Sequence, residues 1–167
     1  GVASLRGVVV LGSTNCPWEL DKAVLRRFEK RVYVPLQDAV ARAAMLKQQL
    51  GCAANLSDEE YDDIGELSEG YSGSDITIVA NDAMLQPIRE LETATHWKKG
   101  RRNTFVPASP NTEGAFPAKL AMFAPDQVSI RSVTKEDVVA SLKRNPATVP
   151  PEDIVLYEKF TLPQPRG

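Results

Sequence analysis

Histidine and cysteine are scarce in this sequence. One histidine, His96, and two cysteines, Cys16 and Cys52, occur among 167 residues. The cysteines stand 36 positions apart. That is neither a zinc-ligand spacing nor a disulfide framework, and it fits a reducing compartment. His96 has no Cys or second His nearby, so no metal or catalytic role is expected of it. No apolar run approaches the roughly 18 residues of a membrane span, and no signal-peptide pattern is seen. The expectation is a chain that does not cross a membrane, although it could work on one. A net charge of −2 gives no reason to expect a polyanion partner for the molecule as a whole. No G-x-x-x-x-G-K-[ST] phosphate-binding loop occurs, no strand ends in a pair of acids, and there is no internal repeat.

What is present is ordinary in bulk: 43% hydrophobic and 25% charged residues, as in a soluble globular chain of one domain or slightly more. Gly7 to Leu11 reads as a buried strand. It runs into Gly12-Ser13-Thr14-Asn15, which delivers a polar amide to the rim of a sheet, where open α/β sheets bind ligands. Leu20-Asp21 and Arg26-Arg27-Phe28-Glu29-Lys30-Arg31 follow. Asp21 to Phe28 can form a short helix, and Arg31 to Leu36 is a β-rich run stopped by Pro35. A lone pair of short strands is marginal in water, so this segment needs partners.

From Asp38 the period becomes helical. Asp38 is an N-cap, Ala39, Ala43, Leu46 and Leu50 share a face, and Gly51 supplies a stop. Ser57 and Glu60 form a capping box, with Leu56 stapled to Tyr61. A third helix opens at Ser72 and Asp75. Its stripe of Ile76, Val79, Ala80, Ala83 and Met84 extends to Leu91 and beyond, and Pro87 predicts a kink. A fourth helix starts at Thr134, with Asp137 three residues later and Val133 and Val138 at staple spacing. Asn145-Pro146 ends it. Between the third and fourth helices, Gly100 to Ser132 is proline-rich, and Phe105-Val106 and Val128 to Ile130 are candidate edge strands. The tail from Pro150 carries one or two helical turns with Ile154, Tyr157 and Phe160 on its apolar side.

The order Asn15, Leu20-Asp21, Arg26-Arg27, with Gly70-Tyr71-Ser72-Gly73-Ser74-Asp75-Ile76 downstream, resembles the AAA family of ATPases. Five phrases narrow the resemblance to the branch that serves vacuolar protein sorting in the ESCRT pathway. They are Thr14-Asn15-Cys16-Pro17-Trp18, Arg26-Arg27-Phe28-Glu29, Asp82-Ala83-Met84-Leu85-Gln86-Pro87-Ile88-Arg89, Ala94-Thr95-His96-Trp97 and Tyr157-Glu158-Lys159-Phe160-Thr161. The resemblance implies an α/β remnant of a AAA large domain over 1–35. A mainly α four-helix small domain follows over 36–146, with a β insert at 100–132, and then a C-terminal helix and tail over 147–167. It implies a parent enzyme that hydrolyses ATP with Mg²⁺ as a homo-oligomeric ring and disassembles ESCRT-III filaments. That parent is expected to be cytoplasmic and peripherally recruited to endosomal membranes, with a ring-stabilising cofactor protein on the β insert. Without the phosphate-binding loop and the Mg-binding acids, the fragment alone is expected to be inactive. The alternatives are a non-catalytic protein-interaction module and a fragment of a related microtubule-severing AAA ATPase.

The resemblance also assigns roles. Asn15 matches the "sensor 1" residue, which can hold a water or a phosphate oxygen without adding charge. On position alone it would be an Asn in a strand-exit turn. Arg26 and Arg27 match the arginine fingers, planar donors that bind phosphate bidentately. As an isolated run they would be a solvated basic face. Gly73 and Ser74 open a helix where free N–H groups allow close approach, and the family places adenine there; a plain helix start explains the same residues. No arginine opens the third helix, so an arginine-type "sensor 2" contact is not expected. The acids from Asp58 to Glu69 read as solvated surface that favours the helix dipole in its first turn. Lys98-Lys99-Gly100-Arg101-Arg102 reads as a basic run at a helix end, with no nucleic-acid site because no aromatic platform is interleaved beyond Trp97.

Overall fold

The computed structural model describes residues 8–28 and 30–161. Their helices are α1 (Lys22–Leu25), α2 (Ala39–Leu50), α3 (Asp58–Leu67), α4 (Gly73–Thr93), α5 (Lys135–Arg144) and α6 (Pro151–Thr161). Three short strands, β1 (His96–Lys99), β2 (Phe105–Pro107) and β3 (Phe116–Pro117), lie between α4 and α5. The chain divides into two units, residues 36–149 and residues 1–35 together with 150–167.

The helical unit is built by its caps. The Asp38 carboxylate accepts the Ala41 N–H at 2.8 Å, and Gly51 turns the chain out of α2 at φ +48°. Ser57 and Glu60 exchange both capping-box bonds, at 3.2 and 2.8 Å. Ser72 and Asp75 do the same at the start of α4, at 3.2 and 2.9 Å. The apolar faces so aligned meet in one core, where Leu46, Ile64, Ile76, Val79 and Val138 are wholly buried. Each such side chain contributes about 1.5–3 kcal/mol. Gly65 lets α3 lie close on α2: a Cβ there would stand 2.5 Å from the Ala39 carbonyl oxygen. Arg42 is buried at this crossing, and its guanidinium donates to Ser68 Oγ and to the carbonyls of Gly65 and Gln37, at 3.1, 2.8 and 2.5 Å. Its charge sits against the C-terminal end of α3, where the dipole favours a cation. α4 continues through the buried Pro87.

The insert has its own small core. β1 is the middle strand of an antiparallel sheet of order β2-β1-β3. Trp97, wholly buried, packs with Leu91 and Ala118, and its ring lies 4.8 Å from that of Phe123. The first strand opens at His96, ahead of Gly100, because α4 stops at Thr93. Val128 makes a single bridge to Phe105 in place of the expected strand. Arg131 ties the insert to two helices, with bonds to Glu90 of α4 (2.5 and 2.8 Å) and Asp137 of α5 (2.6 and 2.8 Å).

In the second unit, residues 8–11 are not the buried strand that their composition suggests. They form no strand and have no ladder partners among the described residues, and Val9 and Leu11 are 91% and 93% exposed. Residues 31–36 form no strand either, and Val32 and Val34 are bare to solvent. The apolar sequence is right for a sheet interior, but a strand needs a neighbour to bond to. The short helix shrinks to α1, capped by the Asp21 carboxylate on the Ala23 N–H at 2.6 Å. The tail forms a full eleven-residue helix, α6. Tyr157 of α6 stacks 5.8 Å from Tyr33 and lies 5.2 Å from Trp18, and Arg31 sits over the Phe160 ring.

Candidate functional site

The residues singled out by sequence fall into two groups, one in each unit. Asn15 is exposed in a bend just ahead of the single-turn helix Pro17–Glu19. The Thr14 hydroxyl accepts the Cys16 N–H at 3.1 Å, which folds the chain tightly around Asn15. The Tyr157 hydroxyl donates to the Asn15 carbonyl at 2.5 Å. The Asn15 main chain is therefore held from α6, and its side-chain amide stays available. Arg26 and Arg27 follow α1 in a turn closed by the Arg26 N–H to Lys22 carbonyl bond and the Arg27 N–H to Val24 carbonyl bond, both 3.0 Å. Both arginines are exposed and make no ion pair among the described residues.

Gly73 and Ser74 are the first two residues of α4. Their N–H groups have no acceptor among the described residues, as expected of a helix start whose cap serves only its third residue. Gln37 was not singled out by sequence. A Cβ on Gly73 would lie 3.0 Å from the Met45 methyl and 3.6–3.7 Å from the Gln37 amide. The Gln37 Oε1 atom is buried without a hydrogen-bond partner. A buried orphan acceptor is costly, and this one lies beside a helix start whose first two N–H groups also have no acceptor among the described residues. The only sequence signal for Gln37 was its place one residue before the Asp38 cap.

The start of α4 is held by several hydrogen bonds. Asp75 is 3% exposed and also accepts the Thr148 hydroxyl at 2.8 Å. Burial alone would raise its pKa, but the bonds from Ser72 and Thr148 outweigh burial and hold it below the usual range. Asp82, farther along α4, behaves likewise. Burial opposes its charge, yet Arg89 and Arg144, at 2.8 and 2.7 Å, bring it down to about 2. Among the described residues, no three His, Cys, Asp or Glu gather as a metal-ligand set, and no helix is long and apolar enough to cross a membrane.

Two family models match this chain. The AAA+ lid domain matches residues 58–99, and the Vps4 C terminal oligomerisation domain matches residues 105–162. Vacuolar protein sorting-associated protein 4B of Mus musculus is 39% identical over 93% of this chain and 38% of its own length. The chain thus spans about two fifths of that relative. A crystal structure of Vps4 and Vta1 aligns with a TM-score of 0.55 and 32% identity, over 66% of this chain and 99% of that one. The FIGL-1 AAA domain in complex with ADP aligns with a TM-score of 0.65 and 25% identity, over 88% and 41%. The chain belongs to the AAA family, and it corresponds there to the C-terminal part of the Vps4 proteins.

Proposed function

We propose that this chain is the C-terminal part of a ring-forming AAA ATPase that disassembles ESCRT-III filaments during endosomal and vacuolar sorting. In this reading the protein is cytoplasmic and recruited peripherally to endosomal membranes. Residues 1–35 close the large ATPase domain, residues 36–146 form the small domain, and 147–167 form the returning helix and tail. The observation that carries the reading is relatedness along nearly the whole chain to the Vps4 proteins, spanning both the lid helices and the insert. ATP, with Mg²⁺ held by residues outside this chain, supplies the phosphoryl group that passes to water. Gly73 and Ser74 give main-chain donors to the base, and the orphaned Gln37 amide faces the same helix start. The Asn15 amide orients water or a phosphate oxygen. Arg26 and Arg27 neutralise charge that develops on the phosphoryl oxygens of a neighbouring subunit's nucleotide. The insert receives a ring-stabilising cofactor protein, in keeping with the Vps4 and Vta1 structure. The test is purification of the full-length protein and incubation with ATP and preformed ESCRT-III filaments. Nucleotide-dependent rings that shorten the filaments are expected. Rings that hydrolyse ATP but leave the filaments intact would refute the substrate assignment.

A further inference from the structure

The run from Lys98 to Arg102 has no part in the reading above, and the structure removes its helix-end explanation. α4 ends at Thr93, Lys98 and Lys99 lie on β1, and Arg101 and Arg102 lie in the turn to β2. No Asp or Glu occurs between Glu92 and Glu113. Lys99, Arg101 and Arg102 are exposed, and none of the four cations has an ion-pair partner among the described residues. The turn that presents them is built. The Gly100 N–H donates to the Thr104 carbonyl at 2.7 Å, and the Thr104 N–H and hydroxyl both donate to the Arg101 carbonyl, at 3.1 and 2.8 Å.

The same unit carries the opposite charge along one helix. Glu59, Asp62 and Glu66 recur at i, i+3 and i+7 on α3, which puts them on one face, and Glu69 follows in the next turn. All four are exposed and make no ion pair among the described residues, and the charge of Lys47 also acts on Asp62. Lys47 and Lys135 pair instead with Asp58 and Asp63. A helix dipole favours Glu59 in the first turn but disfavours Glu66 at the other end, so the dipole explains only half of the stripe. Within α3 the stripe from Glu59 to Glu66 is about 10.5 Å long at 1.5 Å per residue. The basic run is not extended: residues 100–104 fold it into the turn between β1 and β2, with Arg102 at φ +52°.

We propose that the basic β1–β2 hairpin docks on the acidic α3 stripe of a second copy of this chain. The two surfaces belong to one unit and share no ion pair within it among the described residues, and in the ring of the proposed function the contact is head-to-tail. Each copy gives its hairpin to one neighbour and its stripe to the other, the arrangement that closes rings. The inference rests on the assembly part of the proposed function and adds which surfaces meet. Such exposed pairs govern specificity and encounter more than affinity, and they weaken with salt.

The experiment is sedimentation velocity on the 167-residue chain at low salt, with circular dichroism to check folding. Self-association is expected, and it should weaken as salt rises. Reversing the hairpin (Lys99→Glu, Arg101→Glu, Arg102→Glu) or the stripe (Glu59→Lys, Asp62→Lys, Glu66→Lys) should raise the dissociation constant about tenfold or more. Uniting both sets in one chain restores the net charge and should return association to within about threefold. Reversal of Lys22, Lys30 and Lys143 to Glu, which changes the net charge as the hairpin set does, should leave it unchanged. A chain that is monomeric throughout, a combined variant no better than its parents, or an equal loss in the lysine control would overturn the contact. So would a hairpin reversal that abolishes binding to phosphatidylserine vesicles while self-association persists, which would make the partner a membrane. Full-length rings that form with ATP despite either reversal would refute this contact and leave the ring reading standing.

Discussion

Asp82 concentrates the electrostatics of the helical unit on one side chain. Its carboxylate receives Arg89, Arg144 and the Asn145 amide. Its folded pKa, about 2, lies below the unfolded value near 3.9. A depressed carboxylate contributes stability above the unfolded value and loses it as pH falls through the folded one. Thermal melting followed from pH 7 to pH 2 should therefore fall between about pH 4 and pH 2. Asp82→Asn should lower stability at pH 7 by about 1 kcal/mol, a modest figure because both arginines are partly in solvent. It should also make the acid limb shallower; an unchanged limb would show that Asp82 is not a source of it. Arg26 and Arg27 call for a different measurement. In the full-length protein, Arg26→Ala with Arg27→Ala should leave ATP binding almost unchanged and cut turnover by on the order of 10³-fold or more, the range seen for arginine fingers. Mixing this variant with one that has intact arginines but a disabled phosphate-binding loop should restore turnover, since one subunit then supplies nucleotide and the other charge. Mixed rings that assemble but stay inactive would place the arginines at their own site or in the fold alone.

The helices were legible because their starts are written in local chemistry. Asp38, Ser57 and Ser72 each cap where the spacing of their partners indicated, and the 3.6-residue stripes that follow became the core. Strands were harder to read. Val8 to Leu11 and Arg31 to Leu36 have strand composition, yet a ladder depends on a second strand and not on the strand's own residues. β1 was hidden for the opposite reason: His96-Trp97-Lys98-Lys99 continues a helical stripe, and only Trp97, with its aromatic neighbours, decides that the chain turns away. Gln37 escaped notice because its significance lies in proximity to Gly73, 36 residues on. The insert's separate core gives an element-scale prediction. Replacing His96 to Ile130 by a Gly/Ser linker, with Arg131 kept to hold Glu90 and Asp137, should preserve the helical circular dichroism and cooperative melting of residues 36–149. Loss of cooperative unfolding would show that the sheet is part of the main core.

For the molecule as a whole, the site residues lie in two units, and none of them can hold β- and γ-phosphates in the manner of a phosphate-binding loop. The purified 167-residue chain should show no Mg²⁺-dependent phosphate release above background, and it should bind ATP more weakly than micromolar in calorimetry. Turnover by the pure chain would overturn this division of labour. The unit formed by the two ends of the chain carries one more implication, and it concerns synthesis. Tyr157 bonds to a carbonyl 142 positions earlier. At a translation rate of roughly 5–20 residues per second, that partner arrives about 7–28 s after Asn15 leaves the ribosome. The helical unit ends at Val149, so at the same rate its last residue precedes Tyr157 by about 0.4–1.6 s, and it too can fold before the two ends of the chain meet. Trp18 and Tyr33, whose ring partner is Tyr157, remain incomplete until the end. A nascent chain stalled before Tyr157 would display a finished helical unit and leave Trp18 and Tyr33 without their ring partner, a form that chaperones that bind exposed aromatic segments would recognise.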